Sequence, residues 1–303
     1  MRIFLHNPGH NGDILHSLGI VSIIIESNPN YKFVLVPACS SFLYIDLLNE
    51  RVEIEEHPVI WNTQMKNCML DTSNVISKLH HIIFSKYNDD IYVNIWKLLT
   101  DENNNCISLI NRGEYCKRVF YNMNVQFGVN LEFNYNSVDI IPQLPRTDVD
   151  VIISKLKSYN KKLVLFYNLN SFSGFEYTKQ TNDEIIDELI TKYNNEDYLL
   201  LLVKQNDKHN ELLNLERDFN IIPSANGKNL VDIAYIANEC NDVYFKINGG
   251  SLFILNRMNI SRSNIVNYHL KADKEWQDVV QTEYGMRLCN YTLEDLKWDK
   301  IPK

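Results

Sequence analysis

Residues 1–27, MRIFLHNPGHNGDILHSLGIVSIIIES, decide the fold. Residues 2–5 carry a short apolar run, Pro8, Gly9 and Gly12 punctuate a turn, and Ile14, Leu15, Leu18, Val21 and Ile25 recur at helical spacing. Strand, glycine-bearing loop and helix in that order open a doubly wound α/β domain, in which ligands bind at the carboxyl ends of the strands. The loop 6–12 and the helical turn at Asp13 are therefore expected to face a crevice. The loop is not GxGxxG, which argues against a dinucleotide cofactor. Asp13 suits a helix start, where a carboxylate accepts free backbone N–H groups and complements the helix dipole. The same geometry would hold a carboxylate still at a cleft edge. His10 and His16 flank it, and lone histidines of this kind are more often polar loop or core residues than catalytic ones.

The string GDILHSLG, placed after a short first strand, resembles the start of the lipopolysaccharide heptosyltransferase family of GT-B glycosyltransferases. The resemblance implies two Rossmann-like, doubly wound parallel-sheet domains facing a cleft. It also implies that Asp13, directly after the loop glycine, is the base that deprotonates the acceptor hydroxyl, with His10, Asn11, Gly12 and His16 on the acceptor side. The donor would be a nucleotide sugar and the acceptor a glycan or glycolipid.

At 303 residues the chain is long enough for two α/β domains with a core each. Apolar residues make up 45% and charged residues 22%, as in a globular protein, and the longest apolar runs are strand-sized, far short of a membrane span. The first residues lack a basic region followed by an apolar core, so a cytoplasmic location is expected, with peripheral membrane contact left open. The net charge of −8 and the lack of basic clusters interleaved with aromatics exclude nucleic acid as a general partner. Six scattered cysteines without a CxxC pair fit reduced thiols, and there is no HExxH; no metal is expected.

Along the first half, strands are expected at 31–37, 52–56 and 90–96, and helices near 41–48, 75–87 and 112–127, with 61–72 as loop. Strands alternating with helices argue for parallel βαβ units. Arg112, Lys117 and Arg118 read most simply as a solvated helix face. Residues 138–141 end this half. The proline-bearing PQLPRTDVD, 142–150, is the expected boundary between domain 1–145 and domain 146–303. Thr147 and Asp150 have the spacing of a helix capping box. Asp148-Val149-Asp150 also matches the DxD by which GT-A transferases hold a metal, but it follows a linker rather than a buried strand, so the capping reading is preferred.

The second half reads as helix 149–159, strand 163–167, loop 168–174, helix 182–192 and strand 198–203. Small polar residues after a strand place backbone donors at its carboxyl end, suited to phosphate or sugar oxygens. Asn168 and Asn170 are candidates there. The resemblance adds Lys179 as a contact to the donor diphosphate and Asp207, or nearby Glu211, as a ligand of the ribose. Residues 228–255 repeat the opening theme: a helix with Leu230, Ile233, Ala234 and Ala237 on one face, a strand at 243–247, and a turn Asn248, Gly249, Gly250, Ser251 before an apolar helix. The free N–H groups of that helix start form a natural diphosphate seat. Family members carry Asp-Thr-Gly and then a histidine there; this chain has Ile247, Asn248 and Gly249, with an aliphatic residue at the histidine position, which argues against an ADP-heptose enzyme. A last strand at 263–268 and helices at 274–281 and 293–298 complete the expected elements.

The function expected is an inverting glycosyltransferase using a nucleotide-diphosphate sugar. The alternatives are a sugar-nucleotide epimerase of the same fold and a non-catalytic nucleotide- or glycan-binding protein.

Overall fold

A computed structural model describes residues 1–9, 11–55, 83–100, 107, 109–135, 145, 147–169, 180–222 and 227–245. These fall in two compact units, one within Met1–Pro145 and one beginning at Arg146.

In the first unit, β1 (Arg2–Asn7), α1 (Asn11–Ser27), β2 (Lys32–Pro37), a 3-10 turn (Ser41–Leu47) and β3 (Val52–Ile54) follow one another. After residues 56–82 come β4 (Phe84–Tyr87), β5 (Asp90–Asn94), α2 (Ile95–Leu99) and α3 (Leu109–Phe127). The sheet order is β3-β2-β1-β5-β4. β1 pairs in parallel with β2 on one side and with β5 on the other, His6 lying opposite Val36 and Asn94. Five consecutive residues of β1 and of β2 are buried, as expected of parallel strands covered on both faces. β1 therefore marks the point where the chain turns from one side of the sheet to the other, and its carboxyl end is the topological switch point.

Expectation and structure part at β4. A helix over 75–87 cannot include Phe84–Tyr87, which form a strand antiparallel to β5 with Tyr87 opposite Asp90. The cause is Asn88, whose left-handed backbone (φ 53°) makes the tight hairpin turn to Asp90. β5 ends two residues earlier than expected, because the Asn94 side chain accepts from the Lys97 N–H and caps α2. Lys117 and Arg118 are exposed as expected, but Arg112 is 3% exposed and donates to the Ile107 carbonyl at 2.9 Å, so it belongs to the packing of α3 rather than to a solvated face.

The second unit contains α4 (Asp150–Lys157), β6 (Lys162–Tyr167), α5 (Asn182–Lys192), β7 (Tyr198–Leu202), β8 (Leu213–Asn214), α6 (Leu215–Phe219), α7 (Lys228–Asn238) and β9 (Asp242–Phe245). Its sheet, β8-β7-β6-β9, is parallel throughout. Leaving aside the antiparallel edge strand β4, both units thus have the arrangement in which the first strand lies between the second and the last. β8 and α6 are additions to the expected elements. Their two and five residues are too short to show a period, and they are set by Asn214, whose side chain accepts from the Arg217 N–H. The core is apolar and continuous: Val164, Phe166, Ile185, Ile186, Leu189, Leu200, Leu202 and Tyr244 pack α5 on the sheet. The expected elements at 61–72, 138–141, 263–268, 274–281 and 293–298 lie outside the described residues.

A buried polar knot fastens α1 to β1. Asn7 Nδ2 donates to Ser17 Oγ at 3.0 Å, and Asn7 Oδ1 accepts the Gly9 N–H at 3.0 Å. The Ser17 hydroxyl donates to the Ile14 carbonyl at 2.7 Å, which makes the Tyr44 phenol the donor in the 2.9 Å contact to Ser17 Oγ. Burial pushes the Tyr44 phenol up to about 12, so it remains a donor at neutral pH. Ser17→Ala strips two buried donors of their acceptor and should cost about 2 kcal/mol of stability, read from denaturant midpoints. A loss below about 0.5 kcal/mol, the range of a neutral surface change, would show that the knot contributes little.

Candidate functional site

In the first unit, β1 delivers the chain through Pro8 and Gly9 into α1, whose backbone begins at Asn11. Asn11, Gly12 and Asp13 form the first helical residues, so the backbone at Asp13 stands at the carboxyl end of β1, at the switch point. His16 follows one turn on, and Ser17, one turn beyond Asp13, is the residue held by Asn7 and Tyr44. The loop is closed from the β2 side: the Ala38 N–H donates to the Asn7 carbonyl at 2.8 Å, and Cys39 Sγ lies 3.6 Å from the Gly9 carbonyl. His10 lies outside the described residues. Sequence reasoning missed Asn7, Ser17 and Tyr44; the signal for Asn7 was an amide residue ending a buried strand, where no water can satisfy it.

In the second unit the corresponding position is the carboxyl end of β6. Asn168, 3% exposed, uses its whole carboxamide on the backbone of one residue: Nδ2 donates to the Lys204 carbonyl at 2.8 Å and Oδ1 accepts the Lys204 N–H at 2.7 Å. Its own carbonyl accepts from Asn182 Nδ2 at 3.0 Å, at the first residue of α5. Asn168 thus ties together the ends of β6 and β7 and the start of α5. That helix carries the chain's complete capping box, Thr181 with Glu184. β6 also pairs with β9, Tyr167 opposite Phe245. The two strands that lead into the expected donor loops are therefore neighbours, although Asn170, Lys179, Asn248, Gly249, Gly250 and Ser251 lie outside the described residues.

Asp207 is exposed in the turn after β7, and Glu211, exposed as well, lies with Oε1 3.9 Å from Nδ1 of the buried His209. Asn206 of the same turn donates to Asp183 Oδ1 at 2.7 Å, fixing the turn to α5.

The linker departs from the sequence reading. α4 is preceded by Val149 without a side-chain cap, and the buried Thr147 hydroxyl makes no hydrogen bond, so the Thr147–Asp150 capping box does not form. The reason is that α4 begins at Asp150, so the cap position falls on Val149, which has no side-chain acceptor, while the neighbouring Asp148 pairs with Lys228, whose Nζ bridges Asp148 Oδ1 at 3.0 Å and Asp232 Oδ2 at 3.1 Å. The hydrogen bond from Lys228 holds the exposed Asp148 carboxyl below its ordinary range, while Asp148 first and Asp232 next hold the ammonium above its own. Among the described residues no group of three His, Cys, Asp or Glu could hold a metal ion, and no helix is long and apolar enough to cross a membrane.

Fold and site together define two Rossmann-like α/β units, each with its polar loop at a switch point. No family model matches the chain, and no curated protein matches it. Solved structures to which it is similar include heptosyltransferase II for ADP-heptose from E. coli, at 11% identity and TM-score 0.43 over 86% of this chain and 82% of that one. A family 9 glycosyl transferase from Veillonella parvula gives 9% identity and TM-score 0.44 over 94% and 89%. The E. coli heptosyltransferase WaaC with ADP-2-deoxy-2-fluoro heptose gives 14% and 0.38 over 86% of each chain. At this level of likeness, function is argued from the chain's own residues.

The Lys228 bridge is asymmetric, because Asp232 is 4% exposed whereas the Asp148 side chain is 89% exposed. Lys228→Ala strands a buried carboxylate and should cost about 2 kcal/mol, read from the unfolding midpoint. Asp148→Asn should leave the unfolding midpoint nearly where it was. Equal losses from both changes would contradict the assignment of Asp232 as the partner that matters.

Proposed function

We propose that the protein is a cytoplasmic, inverting GT-B glycosyltransferase that moves a sugar from a nucleotide-diphosphate donor to a hydroxyl of a glycan or glycolipid. Residues 1–145 form the acceptor half and 146–303 the donor half. One observation supports the reading: the first strand of each unit lies between two parallel neighbours, β1 leading directly into α1 and Asp13 and β6 running beside β9. The first offers a carboxylate at a helix start. In the second unit, the neighbouring strands β6 and β9 continue in sequence into stretches rich in amide, glycine and serine residues, a composition suited to a diphosphate.

In this mechanism Asp13 takes the proton of the acceptor hydroxyl as its oxygen attacks the anomeric carbon. The bond from that carbon to the diphosphate oxygen breaks on the opposite face, and the nucleoside diphosphate leaves with the electron pair. Backbone N–H groups of the turn Asn248 to Ser251 stabilise the charge that develops there. An aspartate at a helix start stays ionised and is a weak base, so positioning and leaving-group stabilisation supply much of the rate. Lys179 and Asp207 would contact diphosphate and ribose. No metal enters the scheme, and the reaction should survive EDTA.

The test is Asp13→Asn, which keeps size and helix-start hydrogen bonding but cannot accept the proton. The transfer rate, measured over a panel of nucleotide sugars, should fall by about 100-fold or more while donor affinity stays nearly constant. A variant that transfers at the wild-type rate removes Asp13 from the chemistry. Binding without any turnover in the wild type would instead favour a nucleotide- or glycan-binding protein, the outcome that Ile247 and Asn248 in the Asp-Thr positions would explain. Donor placement has its own check: Gly249→Val should abolish nucleoside diphosphate binding by calorimetry with the fold intact, and unchanged affinity would move the seat elsewhere.

A further inference from the structure

Asn7 and Asn168 occupy the same place in their respective sheets. Asn7 is the last residue of β1 and Asn168 the first after β6, the strands that lie between the second strand and the last of their sheets, and each is almost fully buried, at 0% and 3% exposure. Each engages both ends of its carboxamide, Asn7 with the outgoing loop and α1, Asn168 with Lys204 beyond the second strand. Asn7 accepts from Gly9 and donates to Ser17 of α1; Asn168 accepts from and donates to Lys204 after β7, and its carbonyl receives Asn182 of α5. Each also ties its strand end to the end of the second strand, Asn7 through Ala38 and Asn168 through Lys204. An amide is required in both places, since the contacts need a donor and an acceptor on one planar group. A carboxylate could accept but not donate.

We propose that Asn7 and Asn168 are paired positioning residues, Asn7 fixing the loop that carries Asp13 and Asn168 fixing the loop that receives the donor. This rests on the transferase reading. Neither side chain touches substrate: the Asn168 carboxamide is spent on Lys204, so its contribution to donor binding passes through the ends of β6 and β7. The two residues act on different steps. Disturbing Asn168 weakens donor binding, whereas disturbing Asn7 slows the step that needs Asp13 and leaves donor binding alone.

The experiment uses the full chain, with ADP, GDP, UDP and CDP as calorimetric probes and nucleoside diphosphate release from the matching nucleotide sugars as the rate. Asn168→Asp should weaken diphosphate binding about tenfold or more, and Asn7→Asp should keep affinity within about twofold while lowering the rate about tenfold or more. Asn28 is the control. It is 3% exposed just beyond the far end of α1, its carboxamide equally engaged with Ile24 and Glu132, so Asn28→Asp should lower the unfolding midpoint without separating affinity from rate. If the aspartate variants do not fold, Ser17→Ala and Asn182→Ala, which remove one partner each, should give the same split at about threefold. Affinity and rate falling together in every variant, Asn28→Asp included, would overturn the positioning roles alone. A wild type that binds none of the four diphosphates would overturn the transferase reading and this inference with it.

Discussion

A parallel strand buried on both faces has to satisfy its last peptide groups without water, and that requirement governs both units of this chain. At the end of β1 the Asn7 carbonyl accepts the Ala38 N–H and the Asn7 carboxamide accepts the Gly9 N–H, with Ser17 and Tyr44 completing the side-chain network. At the end of β6 the Phe166 carbonyl accepts the Val203 N–H and the Asn168 carbonyl accepts from Asn182, while the Asn168 carboxamide pairs with the backbone of Lys204 after β7. Leaving such groups unpaired in a low-dielectric core costs more than an ordinary hydrogen bond contributes, so the loops that follow are held by necessity. The position at which a doubly wound sheet can bind a ligand is thus also the position that its own packing makes rigid.

The strand-turn-helix of residues 1–27 was legible because each of its signals is local: an apolar run, glycines, then a helical period. The same held for β2, β6, α5, β7 and α7, where five or more residues show one pattern. What could not be read depended on partners distant in sequence. Residues 84–87 continue a helix-like stretch, and only pairing with β5 across the left-handed Asn88 makes them a strand. Thr147 and Asp150 have capping spacing, but α4 begins at Asp150 with Val149 at the cap, and Asp148 beside it pairs with Lys228, eighty residues on. Arg112 looked like part of a charged face, and tertiary packing buries it.

The candidate site was legible to a different degree in each unit. Asp13 and the loop before it follow from local sequence, and the structure puts that backbone at the switch point. Asn168 was found for its position after a strand, yet its side chain faces inward to Lys204. A strand-end amide in the sequence carries no mark that says whether it will meet a ligand or the next strand. Asn7, inside the quoted loop, was passed over for the same reason.

The second sheet shows how far such satisfaction extends. Tyr193 donates to Asp242 at 2.9 Å and shares a 2.6 Å contact with the Tyr244 phenol, which also accepts from Lys192 at 2.5 Å. Burial first, and then the hydrogen bonds to Tyr244 and Asp242, drive the Tyr193 phenol far above its ordinary value, so it stays a proton donor throughout the physiological range. Because three side-chain hydrogen bonds join the end of α5 to β9, β9 cannot slide against α5 without breaking all of them. Register in a parallel pair decides where the strand's carboxyl end stops, and here it brings Phe245 level with Tyr167. The alignment of the carboxyl ends of β6 and β9 therefore originates in a polar cluster between α5 and the sheet, at the start of β9 rather than at those ends.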